Sequence, residues 1–354
     1  MKKVVSIVLM LTMLISAMPL SALAVSEPVS VWDGTTADHF AGGTGTNEDP
    51  YLITSASEFS LFIAQTDGTA HYDLKTDIDF RNQPIDPVSV YFDGHFAGEG
   101  HTLSNLAFST EGLKSHIPVS LFLQTGVHAY IHDFQIKGEM KRERGMLAPV
   151  VAKNLGIISK CKNNANVSAP DGAAGICVEN NGSIMNCENT GAISCRNTGK
   201  PGYSLSSAGG ITNINKGMII NSRNEGKILG DVESLGGITS KNEQSAKIYN
   251  CMNVGPVLPI QHANPAGQIA WYNDNSSDIG NCYAPSTRYA KNIVAFGHGE
   301  VTNCYLMSEY RLKTTNIAED LNKFVYYYRE VNPNAPEMIE WTQPAGKYAR
   351  LMMF

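Results

Sequence analysis

The sequence has only one long apolar run. Beyond the stretch from Val4 to Met18, no segment of the 354 residues approaches the roughly 20 apolar residues that a spanning helix needs. That stretch is itself too short to span. It follows Lys2 and Lys3 and leads to Ala22-Leu23-Ala24, which predicts an export signal over 1–24 with a small-residue cleavage site. The mature chain is expected to be secreted and not membrane-spanning. No cysteine stands at the cleavage site to carry a lipid, and Ala349 to Phe354 lack a sorting signal with a basic tail, so any retention at the cell surface is expected to be non-covalent.

Positive charge is also scarce. The chain has 27 basic against 33 acidic residues, or 25 against 33 without Lys2 and Lys3, which argues against nucleic acid as a partner. Cysteine is present but odd in number: Cys161, Cys177, Cys187, Cys195, Cys251, Cys282 and Cys304 exclude a fully paired framework, even in a compartment that permits disulfides. No short Cys/His spacing suited to a metal occurs, and no His-Glu-x-x-His is found anywhere. No cofactor is expected. Helical periodicity is absent from most of the chain, whose apolar residues alternate within short tracts rich in Gly, Asn, Ser and Thr.

What the sequence does contain is a repeat. The frame apolar-x-polar-(Cys or apolar) occurs at Leu103-Ser104-Asn105-Leu106, Ile131-His132-Asp133-Phe134, Ile158-Ser159-Lys160-Cys161, Ile184-Met185-Asn186-Cys187, Ile219-Ile220-Asn221-Ser222, Ile248-Tyr249-Asn250-Cys251, Ile279-Gly280-Asn281-Cys282 and Val301-Thr302-Asn303-Cys304. Two further apolar series keep phase with it. Val150, Ile176 and Ile211 lie eight residues before the leading isoleucines, and Val167, Ile193, Ile228 and Val257 lie six after the Cys/Ser position. Short strands at this period, with elastic insertions between them, predict an all-β right-handed parallel β-helix, a solenoid in one elongated domain.

Residues i and i+3 of an unbroken strand face opposite ways, so Ile184 and Cys187 both point inward only if the chain bends between them. Asparagine tolerates the left-handed backbone of such a bend. Stacked about 4.8 Å apart, Asn186, Asn221, Asn250, Asn281 and Asn303 predict a ladder in which each amide bonds the next. The five cysteines in this frame predict small buried side chains in a stack.

The tracts Gly209-Gly210-Ile211, Gly236-Gly237-Ile238 and Gly175-Ile176, followed by an N-x-G and then I-x-N-C-x-N-x-G-x-[IV], resemble the GLUG repeats of bacterial surface proteins. Those include the non-catalytic amino-terminal regions of immunoglobulin-A metallopeptidases. The best match runs from Ala174 to Ile193, and the tracts depart from the pattern at its last glycine. Trp32-Asp33-Gly34, Asp49 to Ile53 and Tyr72 to Phe80 resemble the leading segment of such proteins, and Phe92 to Leu103 a first pectin-lyase-like coil. The resemblance, over about 32 to 305, implies the β-helix and an extracellular, non-catalytic setting. The organisation expected is a short N-terminal cap over 25–80, repeats over 81–305 and a small α/β C-terminal cap over 306–354. Within the caps, helices are predicted from Ser57 to Gln65, capped by Ser57, and from Asn316 through Tyr328. Tyr326, Tyr327 and Tyr328 are expected to pack in the cap. Met338 to Trp341 and Ala349 to Met353 read as two short strands.

Candidate sites fall in three places. Asp77, Asp79 and Asp93, near His95, His101, His128 and His132, form the richest carboxylate region and a possible calcium set. The longest coil carries a polar insertion, Arg196 to Ser207, with Arg196, Lys200 and Tyr203 as candidate ligand contacts. Pro259 to Pro265 precedes Trp271-Tyr272, aromatics suited to stacking on sugar rings. No row of acids spans successive repeats between Cys161 and Cys304, and no catalytic residue is assigned. The function expected is a monomeric, adhesin-like module recognising an extracellular glycan or protein. A polysaccharide lyase or hydrolase is the alternative.

Overall fold

The computed structural model describes residues 29–65, 67–109, 114, 117–196, 206–231, 234–260 and 265–353. The export signal, Lys200 and Tyr203 lie outside the described residues.

The chain winds into stacked coils, the central ones built from five short strands. One coil reads Cys177–Asn180, Ser183–Met185, Glu188–Asn189, Ile193–Cys195 and Ser207–Gly209, and these define faces a to e in order. The next repeats it as Thr212–Asn215, Met218–Ile220, Arg223–Asn224, Ile228–Gly230 and Ser234–Gly236. Every strand pairs in parallel with its counterparts one coil away. Faces b and c each form a ten-stranded sheet and face d a five-stranded one, while a and e share a twelve-stranded sheet. This is a parallel β-helix.

Register explains the repeat. Ile131, Ile158, Ile184, Ile219, Ile248 and Ile279 are in-register partners along face b, and all are fully buried. Val167, Ile193, Ile228 and Val257 stack likewise on face d. One rung is displaced from the sequence reading: the face b partner of Ile131 is Phe96, whereas Leu103 lies on face c between Ile78 and Ile136. The frame at Leu103 has the same local form, with Asn105 at φ 54°, but it turns a different corner. Apolar-x-Asn-apolar encodes a bend, and the bend can stand at more than one corner of the coil.

The paired glycines have a steric cause. A Cβ on Gly236 would lie 1.7 Å from the Thr239 carbonyl oxygen, because faces e and a meet there in an acute fold. A Cβ on Gly237 would lie 2.0 Å from the Gln268 carbonyl oxygen and 2.4 Å from the Asn253 amide. Only glycine fits either place.

All seven cysteines are free thiols. Cys161, Cys187, Cys251 and Cys282 are fully buried, and their sulfurs approach backbone carbonyls such as Ser159 O and Met185 O at 3.3 Å. Burial lifts the Cys161 and Cys282 thiols well above the ordinary range and pushes Cys195 up to about 12, as suits side chains that pack in a core.

The N-terminal end is closed by helix α1, Ala56–Ala64. Its cap is Ser55, not Ser57: Glu58 N donates to Ser55 Oγ, while Glu58 Oε2 accepts from Thr54 N at 2.6 Å. Ser55 stands at the correct spacing from Glu58 for a reciprocal cap, and Ser57 does not. Phe59 and Phe62 press into the first coils against Tyr72, Phe80, Phe96 and Phe122. Phenylalanines thus fill the leading coils, and isoleucine, cysteine and alanine fill the later ones.

The C-terminal segment covers a flank. Helices α2, Glu309–Thr314, and α3, Ile317–Val331, are followed by the antiparallel pair Trp341–Thr342 and Arg350–Leu351. Ile317, Leu321, Val325, Met338, Trp341 and Leu351 bury against outward-facing Met185, Ile220, Met252 and Tyr283 of successive coils. Asn316 caps α3 as its sequence predicts. Tyr328 is half-buried, but Tyr326 and Tyr327 are 52% and 62% exposed and do not pack. They fall on the solvent side of α3, opposite the Leu321/Val325 stripe. The last strands of the stack, Asn292–Gly297 and Glu300–Thr302, remain largely exposed.

Candidate functional site

The asparagine corner is the most regular polar feature. Asn186, Asn221, Asn250, Asn281 and Asn303 all have φ between 50° and 56°. Asn221 Nδ2 donates to Asn186 Oδ1 at 2.8 Å, Asn250 Nδ2 to Asn221 Oδ1 at 2.7 Å, and Asn281 Nδ2 to Asn250 Oδ1 at 2.7 Å. Asn303 keeps the backbone geometry but lies exposed at the end of the stack. Two further ladders run inside. Asn154, Asn180, Asn215, Asn242 and Asn273 bond in series at 2.7–2.8 Å. Asn163, Asn189, Asn224, Asn253 and Gln268 do so at 2.7–2.9 Å. Most of these asparagines also donate to the carbonyl two residues on, such as Gly182 O and Gly191 O, so the N-x-G spacing was the signal for both.

The three aspartates of the first coils do not converge. Asp77 Oδ1 takes Thr102 N at 2.9 Å and His101 Nδ1 at 3.0 Å. Asp79 Oδ1 takes Arg81 N and Asn105 Nδ2. Asp93 takes His128 through its amide at 2.7 Å and its ring at 2.9 Å. Burial alone would raise the Asp93 carboxyl, but the His128 bonds outweigh it and hold the group below the usual range. Each carboxylate therefore pins a different corner. Among the described residues no group of three or more His, Cys, Asp or Glu side chains is arranged to hold a metal.

The histidines of this region do meet. His95 Nε2 and His132 Nε2 face each other at 2.5 Å, and His132 Nδ1 lies 2.7 Å from Asp133 Oδ2. The Asp133 carboxylate engages His132 Nδ1 and leaves His132 Nε2 turned to His95. Burial, followed by His132 and His71, pushes His95 down to about 4, with Asp73 opposing. Because the folded value lies below the unfolded 6.5, the unfolded chain takes up this proton first. Stability should thus be full above about pH 6.5 and fall as pH drops towards 4, by roughly 1–2 kcal/mol for a half-exposed ring. Denaturant midpoints across that window should show a slope that His95→Gln flattens; parallel curves would contradict the assignment.

At the later coils, Arg196 is exposed at the start of its insertion. Lys200 and Tyr203 of that insertion, with residues 261–264 of the second loop, lie outside the described residues. Trp271 and Tyr272 are half-buried on the strand Gly267–Asn273. Tyr272 pairs in register with Lys241 and Phe296, and the Trp271 ring meets Phe296 at 5.3 Å. Trp271 Nε1, with Asn213, Ser234 and Ser240 of neighbouring coils, is buried without a hydrogen-bond partner.

The feature that sequence reasoning missed is a cleft of about 690 Å³ along the seam between face c and the C-terminal segment. Its wall is an in-register row, Lys162, Glu188 and Arg223, whose neighbours Asn163, Asn189 and Asn224 turn inward to a ladder. Glu188 Oε2 accepts from Lys162 Nζ at 2.8 Å, and Glu188 Oε1 accepts from Arg223 Nη1. Glu225 Oε2 takes the same Arg223 nitrogen at 2.7 Å. The opposite bank carries Lys347, Tyr348, Arg350 and Leu351. A signal existed: the residue after the Cys/Ser position reads Lys, Glu, Arg in successive repeats, a charge alternation along one face. The same row continues as Met252 and Tyr283, apolar outward residues that required a cover.

No family model and no curated protein matches the chain. Among solved structures, one described as a putative immunoglobulin A1 protease from Bacteroides ovatus superposes with a TM-score of 0.57 at 17% identity, covering 89% of this chain and 96% of that one. At that identity the likeness shows the shared fold, in agreement with the β-helix that the repeat predicts. No helix among the described residues is long and apolar enough to cross a membrane.

Proposed function

We propose that the chain is an exported, non-catalytic binding module that recognises an extracellular glycan or a host or cell-surface protein. The observation that carries this reading is the furnishing of the seam cleft. Its carboxylates, Glu188 and Glu225, are both tied to Arg223, and Glu188 to Lys162 as well. Glycan cleavage requires a carboxyl group kept in its acid form beside a second carboxylate or base. A carboxylate that accepts from both an arginine and a lysine has its oxygens occupied by ion pairs. Elsewhere, Thr35 and Thr69 hold Asp33 and Asp67 below the usual range, and Lys141 and Lys313 do the same to Glu143 and Glu309. The shared fold with the Bacteroides ovatus protein supports a module of an extracellular system, and the lack of His-Glu-x-x-His in this sequence supports a role apart from peptide cleavage.

The mature protein is expected to be retained on a glycan or host-protein array. It is expected to release no unsaturated or reducing ends from pectic, uronic or mucin-type glycans, with or without calcium. Turnover that disappears on replacing Asp77, Asp79 or Asp93 would overturn the proposal in favour of a polysaccharide-active enzyme.

A further inference from the structure

The seam cleft inverts the charge of the molecule around it. The chain as a whole has six more acidic than basic residues, yet the cleft gathers Lys162, Arg223, Lys347 and Arg350 against Glu188 and Glu225. Arg223 is 3% exposed and Glu188 5%, so the wall is held rigid and largely desolvated. A guanidinium carries five N–H donors in a planar fork. Both glutamates take the same Nη1, and Arg223 Nε is buried with no partner. The fold therefore leaves part of the fork unused beside two exposed cations on the opposite bank.

We infer that this cleft is the binding site for a carboxylate-bearing sugar residue, with the ligand carboxylate received by Arg223, Lys347 and Arg350 and the sugar ring lying against Tyr348. This rests on the binding-module reading and names the ligand class within it. An extended peptide fits less well. The backbone of Glu188–Asn189 and Arg223–Asn224 is paired on both sides by neighbouring coils, so the wall offers no free edge to which a strand could add. What the cleft presents is side-chain charge and a partly buried aromatic ring, in a volume within the range of small-ligand sites.

The test is calorimetric titration of the mature chain with trigalacturonate and with sialyllactose, which separate uronic from sialic sources, beside the methyl ester and neutral lactose. At least one acid should bind, its ester or neutral counterpart roughly tenfold more weakly, as expected for loss of a charge-assisted contact. Raising the salt should weaken acid binding. Lys347→Ala with Arg350→Ala should weaken it by a similar factor without moving the melting temperature, because both are exposed. Arg223→Lys, which keeps the charge and loses the fork, should weaken binding even in folded protein, with its melt recorded alongside. Equal affinity for acid and ester, no binding of either acid, or indifference to the double variant would overturn the inference. If an array still retains the protein in those cases, the binding-module reading stands and the ligand site lies elsewhere; if nothing is retained, that reading fails too.

Discussion

Replacing Ile219 by alanine is expected to lower the unfolding free energy by about 2–5 kcal/mol. Ile219 is fully buried at the middle of the face b row, in register with Ile184 on one side and Ile248 on the other. Its carbonyl also lies 3.8 Å from the Cys251 sulfur. The coils above and below are fixed by backbone pairing, so the walls of the cavity cannot close on it, and the deleted methyls lose both burial and contact. Ile214 provides the control. It faces outward between Glu179 and Lys241 and is half-buried, so Ile214→Ala should cost less than about 1 kcal/mol. Denaturant midpoints of the two variants decide the matter: similar losses would place the core elsewhere.

Asn224→Ala is expected to cost about 3 kcal/mol, although asparagine is hydrophilic and its removal creates only a small void. Asn224 Oδ1 accepts from Asn189 Nδ2 at 2.7 Å, and its own Nδ2 donates to Asn253 Oδ1 at 2.8 Å and Gly226 O at 2.9 Å. Alanine would strand polar groups on both neighbouring rungs, each in a site that water does not reach. Asn303→Ala, at the exposed end of the corner series, should leave the melting temperature nearly unchanged. A small effect at Asn224 would mean that the interior ladder contributes little beyond what water provides. A large effect at Asn303 would mean that the end of the stack is more constrained than its exposure suggests.

Much of this architecture was legible in the sequence because a solenoid repeats its local physics. Once Ile184, Asn186 and Cys187 are read as in, bend, in, every other coil is read too. The errors arose where the repeat is ambiguous or ends. Leu103 carries the same corner chemistry as Ile131 but belongs to another face, and only strand register distinguishes them. The interior ladders were hidden because an asparagine in N-x-G reads as an ordinary turn residue. Its burial depends on neighbours some 26 to 35 positions away in sequence. The seam cleft was the least visible of all. It forms only because Trp341 to Met353 lie back over face c, and a pattern along one coil says nothing about which later segment will cover it.

The C-terminal return changes how the stack should come apart. Stability in a linear array is a sum of coils and nearest-neighbour interfaces, so such arrays fray from their ends. Here Asn186 Nδ2 donates to Glu337 O, Ile339 N donates to Asn186 Oδ1, and Trp341 Nε1 donates to Asn221 Oδ1. These bonds join positions as many as 153 residues apart. The return acts as a splint laid across the joints: the coils that carry Met185, Ile220 and Met252 are held together while it is seated, and it cannot leave without baring those residues together. Loss of order should therefore spread through those coils as one cooperative unit, where an unsplinted solenoid would lose them one at a time.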